Sequence, residues 1–222
     1  MIHICYSGSL DGFDPNLKSS KKSLFKRWFW TFKNNNVDSS TRSGYYFIKA
    51  IAMLNEKGLI SPKQIHVEWW GNINPLNQKQ INQENLKDYF TIKNYLPKAE
   101  SLKKIKNADI LFLPLEKTNS SEHRTLFIPG KVFEYLETQK PILALCEDSD
   151  CKEIITNSGL GICVDPDNIV EISNVILKIV SHIGFLMEIK PNLEYIENYS
   201  FKVKTKELAE ILNELEHRNE KK

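Results

Sequence analysis

Short β-branched or apolar runs alternate with longer amphipathic stretches along most of this 222-residue chain, and this alternation restricts the fold more than any other feature. Six runs have the composition of strands: Ile2–Ser7, Ile65–Gly71, Thr91–Tyr95, Ile110–Leu113, Ile142–Cys146 and Gly161–Val164. Five stretches between them have helical spacing: Thr41–Lys57, Ala99–Lys106, Pro129–Gln139, Cys151–Asn157 and Ile169–His182. The alternation predicts a doubly wound, Rossmann-like α/β fold with about six parallel strands, covered by helices on both faces. Ligands of such folds bind beyond the carboxyl ends of the strands.

A last amphipathic stretch covers residues 200–219, where Leu208, Ile211, Leu212 and Leu215 recur at helical spacing. This predicts a C-terminal helix whose apolar face needs a partner surface. The length of the chain favours one large domain over residues 1–222 rather than two full domains.

The composition excludes several classes of protein. With 41% apolar and 26% charged residues, the chain is ordinary globular protein rather than a disordered or disulfide-stapled one. The four cysteines form no C-x-x-C pair and the five histidines show no ligand spacing, so no metal site is expected. No apolar run approaches the ~20 residues of a membrane span, and the N-terminus lacks the pattern of a signal peptide. These features predict a cytoplasmic protein.

Positive charge is concentrated in residues 13–40, called here the basic-aromatic segment. It holds six basic residues against two acidic ones, a local excess of four that leaves the rest of the chain at −2. Five aromatic residues are interleaved with them: Phe25, Trp28, Phe29, Trp30 and Phe32. The segment fits an insertion that packs on its own or a second domain, and also a peripheral anchor on anionic lipid at the inner membrane face. Packing is favoured over membrane contact, and both are favoured over stacking on RNA; the net charge of +2 gives no indication of nucleic acid.

The strongest local signal is the sequence Ile128–Leu136. Pro129 suits the first position of a helix, and Gly130 lets a ligand approach the backbone closely. Such a helix start binds phosphate through its free N–H groups, and Lys131 adds a cation there. Glu134 lies one turn further on the same face, where a carboxylate can accept hydrogen bonds from ribose hydroxyls. Three residues are expected to turn towards the sheet: Val132, Phe133 and Leu136. The same residues fit equally well a packing helix with a solvated glutamate.

Two glycines follow predicted strands at the binding edge of the sheet. Gly8 comes after the first strand and Gly71 after the second, although plain strand-ending turns would use glycine in the same way. The chain contains neither G-x-G-x-x-G nor G-x-x-x-x-G-K-[ST]. The fingerprints of a nicotinamide site and of a P-loop are therefore absent.

The order of these motifs resembles the C-terminal domain of glycosyltransferase family 4. The resemblance covers nearly the whole chain and rests on Tyr6–Leu10, Trp70-Gly71, Tyr95–Pro97, Asn107–Leu111, Pro129–Leu136, Lys140–Ile142 and Gly159–Ile162. These enzymes have the two-domain GT-B architecture and mostly build bacterial polysaccharides. The resemblance implies a domain that binds a nucleoside diphosphate sugar without a metal, for transfer to a glycan or lipid-linked acceptor. The alternative is a non-catalytic nucleotide-binding or partner-docking domain of flavodoxin-like topology.

The resemblance also implies where the donor lies. The diphosphate is expected beside Gly8 and the helix-start amides, the ribose on Glu134, and the base near the loop at residues 95–97. The predicted donor-binding set is Gly8, Ser9, Gly71, Tyr95, Leu96, Pro97, Arg124, Gly130, Lys131, Val132 and Glu134.

The sequence departs from the family pattern in three ways. Leu126 stands where a second glutamate is common, and Asp11–Asp14 lack the usual basic residues, so that Lys18, Lys21 and Lys22 are the candidates instead. The N-terminal, acceptor-binding domain has no counterpart in these residues. No catalytic residue is assigned, because the acceptor and its activating group are expected from that missing half.

Overall fold

Parallel strands form the centre of the protein in a computed structural model that describes residues 1–16, 37–118, 126–182 and 184–220. The strands are β1 Ile2–Leu10, β2 Val37–Asp38, β3 Ile65–Ile73, β4 Phe90–Lys93, β5 Ile110–Pro114, β6 Lys117–Thr118, β7 Ile142–Leu145 and β8 Gly161–Val164. Six of them form the main sheet in the order β4-β3-β1-β5-β7-β8, with every pair parallel. The remaining two, β2 and β6, form a small antiparallel pair.

The helices lie between these strands and after them. They are α1 Tyr45–Glu56, α2 Pro75–Gln83, α3 Lys98–Asn107, α4 Lys131–Thr138, α5 Asp150–Asn157, α6 Ile169–Ser181, α7 Phe185–Glu188, α8 Leu193–Glu197 and α9 Phe201–Glu220. Two 3₁₀ turns, Ser39–Arg42 and Lys87–Tyr89, precede α1 and β4.

The order of the main sheet confirms the predicted fold class. Numbered along the chain, its six strands run 3-2-1-4-5-6, the order of the doubly wound Rossmann fold. The flavodoxin-like alternative is wrong, because that topology places strand 1 between strands 2 and 3. The order reverses between β1 and β5, so the carboxyl ends of these two strands flank the crevice where ligands of such folds bind.

An apolar core lies on each face of the sheet. One core, under α1 and α6, centres on Phe47, Trp69 and Phe112, with ring centroids 4.5 Å apart for Phe47–Phe112 and 6.0 Å for Trp69–Phe112. The other core joins the sheet to α3, α4 and α5. Each such aromatic ring buries a large apolar area, and the two cores therefore fix the strand ends on which the site depends.

The polar helix α2 was not predicted from the sequence. It lacks an apolar stripe, and its start depends on local chemistry: the Asn74 side chain accepts the N–H of Leu76 at 3.0 Å, and Pro75 takes the first position. Buried Asn77 accepts the N–H of Gly44 at 2.9 Å, which ties α2 to the start of α1. Helix α1 consequently begins at Tyr45, later than the predicted Thr41.

Helical cover is incomplete at one edge of the sheet. On β3, Ile65, Val67 and Trp69 are buried, whereas the alternate residues His66 and Glu68 are only partly covered. A groove of about 740 Å³ runs between this face and α3, lined in part by Glu68, Trp70 and Lys104. This groove is called here the α3 groove.

The terminal helix α9 makes no extended contact with another helix or strand of the described chain. The predicted apolar face is present and is 49–56% exposed at Leu208, Ile211, Leu212 and Leu215. Among the described residues, no helix is long and apolar enough to cross a membrane. Most of the basic-aromatic segment, including its five central aromatic residues and Lys18, Lys21 and Lys22, lies outside the described residues.

Candidate functional site

Two glycines form the floor of the candidate site. The prediction that Gly8 and Gly71 follow their strands is wrong. They lie within β1 and β3, where they are register partners. Both have positive φ, +151° and +121°, and a Cβ on Gly71 would lie 2.3 Å from the Gly8 carbonyl oxygen. Counting on from the pair Cys5–Leu111, Gly8 is level with Pro114 at the end of β5. The two backbones thus meet, without side chains, at the carboxyl edge of the sheet.

Helix α4 starts beside this floor. Gly130 is its N-cap and Lys131 its first residue, so Pro129 lies just outside the helix rather than in its first position. We predicted that the Val132 N–H is free to bind the ligand, but it donates to the Pro129 carbonyl at 2.9 Å. No acceptor among the described residues faces the N–H groups of Gly130 and Lys131. A Cβ on Gly130 would meet open space. Two free amides therefore remain at this helix start.

The Lys131 side chain turns inward over the glycine floor. Its Nζ lies 4.9 Å from the centroid of the Tyr6 ring and 5.8 Å from that of Tyr135, and a Cβ on Gly8 would lie 2.6 Å from it. Burial lowers the pKa of Lys131, with Glu134 acting in the opposite direction. No carboxylate in the described part of the chain is within ion-pair distance of it. A cation without an ionic partner is thus held at the edge of the sheet.

Glu134 lies on the outer side of α4 and is exposed. Together with Gly130 it lines a cavity of about 640 Å³, called here the α4 cavity. Val132 and Leu136 are buried against the sheet as predicted, but Phe133 is not: it stacks on Tyr199, with centroids 5.6 Å apart.

The α4 cavity is also lined by residues that the sequence did not indicate. Lys98 and Leu102 come from α3, and Ile196, Tyr199 and Phe201 come from the C-terminal segment. The packing of that segment on α4 depends on long-range contacts, which explains why no local motif announced it.

The predicted base loop lies where α3 begins, next to this cavity. Pro97 is the N-cap of α3, directly before Lys98; Tyr95 is 80% exposed, and Leu96 is half-buried. Ser9 is exposed, and its carbonyl accepts a hydrogen bond from the Tyr6 hydroxyl. These residues border the same edge of the sheet without contacting Glu134.

Arg42 is a second cation at this edge that sequence reasoning missed. Its carbonyl accepts the N–H of Asp11 at 3.3 Å, just past β1, and its guanidinium lies 3.5 Å from Glu116. Its charge is felt at Lys131, where it adds to the effect of burial in lowering the pKa. The one available signal was its position two residues after the basic-aromatic segment.

Two predicted features of the loop before α4 have different outcomes. Arg124 lies outside the described residues. Leu126, at the position of the family's second glutamate, is 74% exposed.

Metal binding is not indicated by side-chain geometry. In the ranges that the structure covers, no three His, Cys, Asp or Glu side chains come together in a way that could hold an ion. Metal-independent donor binding stays a prediction.

The six-stranded parallel sheet with flanking helices is a Rossmann-like fold that matches one half of the GT-B architecture. No protein-family model matches the chain, and no curated protein is significantly similar to it.

Solved structures carry the comparison at the level of the fold. A glycosyltransferase from Rickettsia africae aligns with a TM-score of 0.62 and 15% identity over 96% of this chain and 47% of that chain. Anabaena Alr3699/HepE, solved in complex with UDP, gives 0.60 and 16% over 96% and 49%. Sucrose-phosphate synthase from Thermosynechococcus elongatus gives 0.60 and 12% over 78% and 42%. The chain spans less than half the length of each of these proteins.

Proposed function

We propose that this chain is the donor-binding half of a glycosyltransferase, similar to the C-terminal domain of family 4 enzymes, and that it binds a nucleoside diphosphate sugar. The observation that carries this proposal is the inward-turned Lys131 ammonium above the Gly8–Gly71 floor, beside two free amides at the start of α4.

A diphosphate matches this arrangement chemically. The positive end of the α4 dipole, the N–H groups of Gly130 and Lys131, and the Lys131 ammonium all favour negative charge at one place. The paired glycines have no side chains, which leaves room for phosphate oxygens to approach the backbone. Arg42 supplies further positive potential from the 3₁₀ turn before α1.

The rest of the nucleotide would lie along the α4 cavity. Glu134 lines this cavity and would accept hydrogen bonds from ribose hydroxyls, and the base would lie between the loop at residues 95–97 and Leu102. The complexes of HepE with UDP and with UDP-glucose support a uridine nucleotide as the first ligand to try.

Transfer would need a second half. The neighbouring structures are about twice as long as this chain, and rate in such enzymes depends on holding donor and acceptor in line. We infer that this chain supplies one wall of the cleft and that a separate acceptor-binding domain supplies the other, with a glycan or lipid-linked acceptor. A cytoplasmic location is part of the same proposal. For residues 13–40, packing on this or the second domain stays favoured over peripheral membrane contact.

Calorimetric titration with UDP, GDP, ADP and CDP tests donor binding. We expect Glu134→Ala to weaken the preferred nucleotide by about 1.5–3 kcal/mol, the range for hydrogen bonds to a charged group. Glu171→Ala is the matched control, because this carboxylate is also exposed and also in the first turn of a helix, α6, but does not line the α4 cavity. An absence of binding by every diphosphate at millimolar concentration would overturn the proposal.

The half-enzyme proposal has its own test. Incubated with UDP-glucose and an oligosaccharide or lipid acceptor, the chain alone should release UDP no faster than the background rate. Turnover at an ordinary enzymatic rate would contradict the proposal that this chain is half of an enzyme. A non-catalytic nucleotide-binding domain would bind UDP equally well but would gain no transfer activity from any added acceptor half.

A further inference from the structure

The surroundings of the Lys131 ammonium are aromatic rather than acidic. Tyr6 and Tyr135 present their rings to Nζ at 4.9 and 5.8 Å. A lysine turned into a protein interior usually pairs with a carboxylate, whereas this one has two aromatic rings and the Gly8 backbone next to its ammonium and, among the described residues, no carboxylate at ion-pair distance.

Both rings are fixed by hydrogen bonds of their own. The Tyr6 hydroxyl donates to the carbonyl of Ser9, so its side chain spans Gly8 and lies flat beside it. Tyr135 is fully buried, and its hydroxyl donates to the Phe112 carbonyl at 3.2 Å. The ammonium is therefore held by two groups that cannot easily swing away.

The charged and titratable groups around this lysine come from three elements. Glu134 and Tyr135 are on α4, Cys5 and Tyr6 are on β1, and Arg42 is on the 3₁₀ turn before α1. Burial lowers the pKa of Lys131 and raises the pKa of both Cys5 and Tyr6 to about 12. In the physiological range the cysteine and the tyrosine are thus neutral, and neither offers the ammonium a negative charge.

Resting on the proposed function, we propose that Tyr6 and Tyr135 are positioning residues that hold the Lys131 ammonium over Gly8 for the diphosphate of the nucleotide. The rings stabilise the cation and leave its charge uncompensated, whereas a carboxylate would neutralise it. The site then discriminates by ligand charge: the ammonium increases the affinity for a diphosphate and leaves the affinity for an uncharged nucleoside unchanged.

Calorimetry with UDP, UMP and uridine tests the role of Tyr6. We expect Tyr6→Leu to weaken UDP about three- to tenfold and uridine by less than twofold, since a cation–π contact has about that strength. Tyr6→Phe keeps the ring and should restore UDP affinity to within twofold of the native protein. Tyr89→Leu is the control for general loss of packing, because Tyr89 is as buried as Tyr6 and lies in the same core without a cation.

The pH dependence of binding distinguishes a charged role of Lys131 from a purely structural one, because a structural role would not make UDP affinity depend on the protonation of the ammonium. The affinity of the native protein for UDP, relative to its affinity for uridine, should fall with rising pH, starting below the pH at which an ordinary lysine, with a pKa of ~10.4, loses its proton. Uridine is the reference because the uracil ring, which both ligands share, also loses a proton at alkaline pH. Tyr6→Phe should keep this alkaline decline, and Lys131→Met should abolish it. If Tyr6→Leu fails to fold, a native profile without this decline still overturns the inference, because the ammonium would then take no part in binding the diphosphate.

The outcomes separate this inference from the proposed function. Native protein that binds UDP, combined with a Tyr6→Leu variant that loses UDP and uridine equally, would overturn the positioning role alone. So would a native UDP affinity without an alkaline decline. Native protein that binds none of the diphosphates would overturn both.

Discussion

Two lysines of this protein lie 4.9 Å from the centroid of an aromatic ring, yet their surroundings differ. Lys104, in the α3 groove, lies over Trp70 and also 3.5 Å from Glu68, which in turn accepts the Trp70 indole N–H at 3.2 Å. Lys131 lies over Tyr6 and has no carboxylate at ion-pair distance among the described residues. The α3 groove is the larger of the two cavities, about 740 against 640 Å³.

The difference shows what distinguishes a ligand site from a surface depression in this molecule. In the α3 groove, charge is balanced inside the protein, so an anion would have to compete with Glu68 for the lysine. At the start of α4, Lys131 has no carboxylate at ion-pair distance among the described residues, so that a bound anion would supply the balancing charge. The α4 cavity next to it is lined by three carboxylates, Glu134, Glu137 and Glu197, and by Lys98. The proposed site thus differs from the α3 groove by an ammonium without an ion-pair partner among the described residues, and not by a larger volume.

The largest effect should come from the floor of the α4 site. Gly71→Ala would put a Cβ at 2.3 Å from the Gly8 carbonyl oxygen at a φ of +121°, and we expect it to lower the free energy of unfolding by about 3 kcal/mol. Urea denaturation measures this change. Gly130→Ala is the control, because its Cβ meets open space, and it should leave stability within about 1 kcal/mol of the native value. Equal stability of both variants would mean that the strands do not meet as closely as described.

The second effect concerns ligand affinity. Lys131→Met should weaken UDP about tenfold or more, since a hydrogen bond between charged groups contributes about 1.5–3 kcal/mol. Lys104→Met removes a lysine with the same cation–π distance and should change UDP affinity by less than twofold. Both affinities come from the same titration. A larger loss for Lys104→Met would reverse the comparison and move the site to the α3 groove.

The third effect is on stability and has the opposite sign. Because the pKa of Lys131 is lowered in the folded state, keeping its proton costs folding free energy at every pH below that folded pKa, and the cost is relieved as the pH rises through it. Lys131→Met should therefore stabilise the ligand-free protein at pH 7, by about 1 kcal/mol. Thermal unfolding without nucleotide measures this. A variant less stable than the native protein would mean that the contacts with Tyr6 and Tyr135 outweigh the cost of burial.

The smallest effect should come from unbalancing the α3 groove. Glu68→Ala leaves Lys104 without its carboxylate, and because this lysine is largely solvated we expect stability to change by at most about 1 kcal/mol. The variant should still bind a single UDP. Helix α3 begins beside the groove without a side-chain cap, but Glu100 in its first turn also lines the groove and opposes an anion there. Binding of a second UDP would show that an unpaired lysine beside an aromatic ring is sufficient for a site.

The sequence predicted the strands of this protein better than its site. Buried parallel strands are short apolar runs, and the bounds of Gly161–Val164 are the same in the sequence and in the structure. Helix α2 was not predicted, because its start depends on an asparagine cap and on buried Asn77 rather than on an apolar stripe. Local pattern recovers elements that bury an apolar face and misses those stabilised by specific hydrogen bonds.

The site was predicted as a set of residues, without their geometry. The start of α4 and the two glycines follow from motifs, but the inward turn of Lys131 depends on Tyr6, a residue 125 positions away in the sequence. The same holds for Arg42 and for the C-terminal residues that line the α4 cavity. Such contacts are set by how strands and helices pack, and a single sequence does not encode them locally.

The exposed apolar face of α9 determines how easily this helix opens locally. A 20-residue helix with no extended packing depends on its own backbone and on side-chain pairs such as Lys204–Glu207 and Lys206–Glu210, each worth a few tenths of a kcal/mol. Its amides should exchange with deuterium in seconds, while those of β1 and β5 wait for global unfolding. Slow exchange along α9 in the presence of another protein would then report directly that its leucine stripe had been covered.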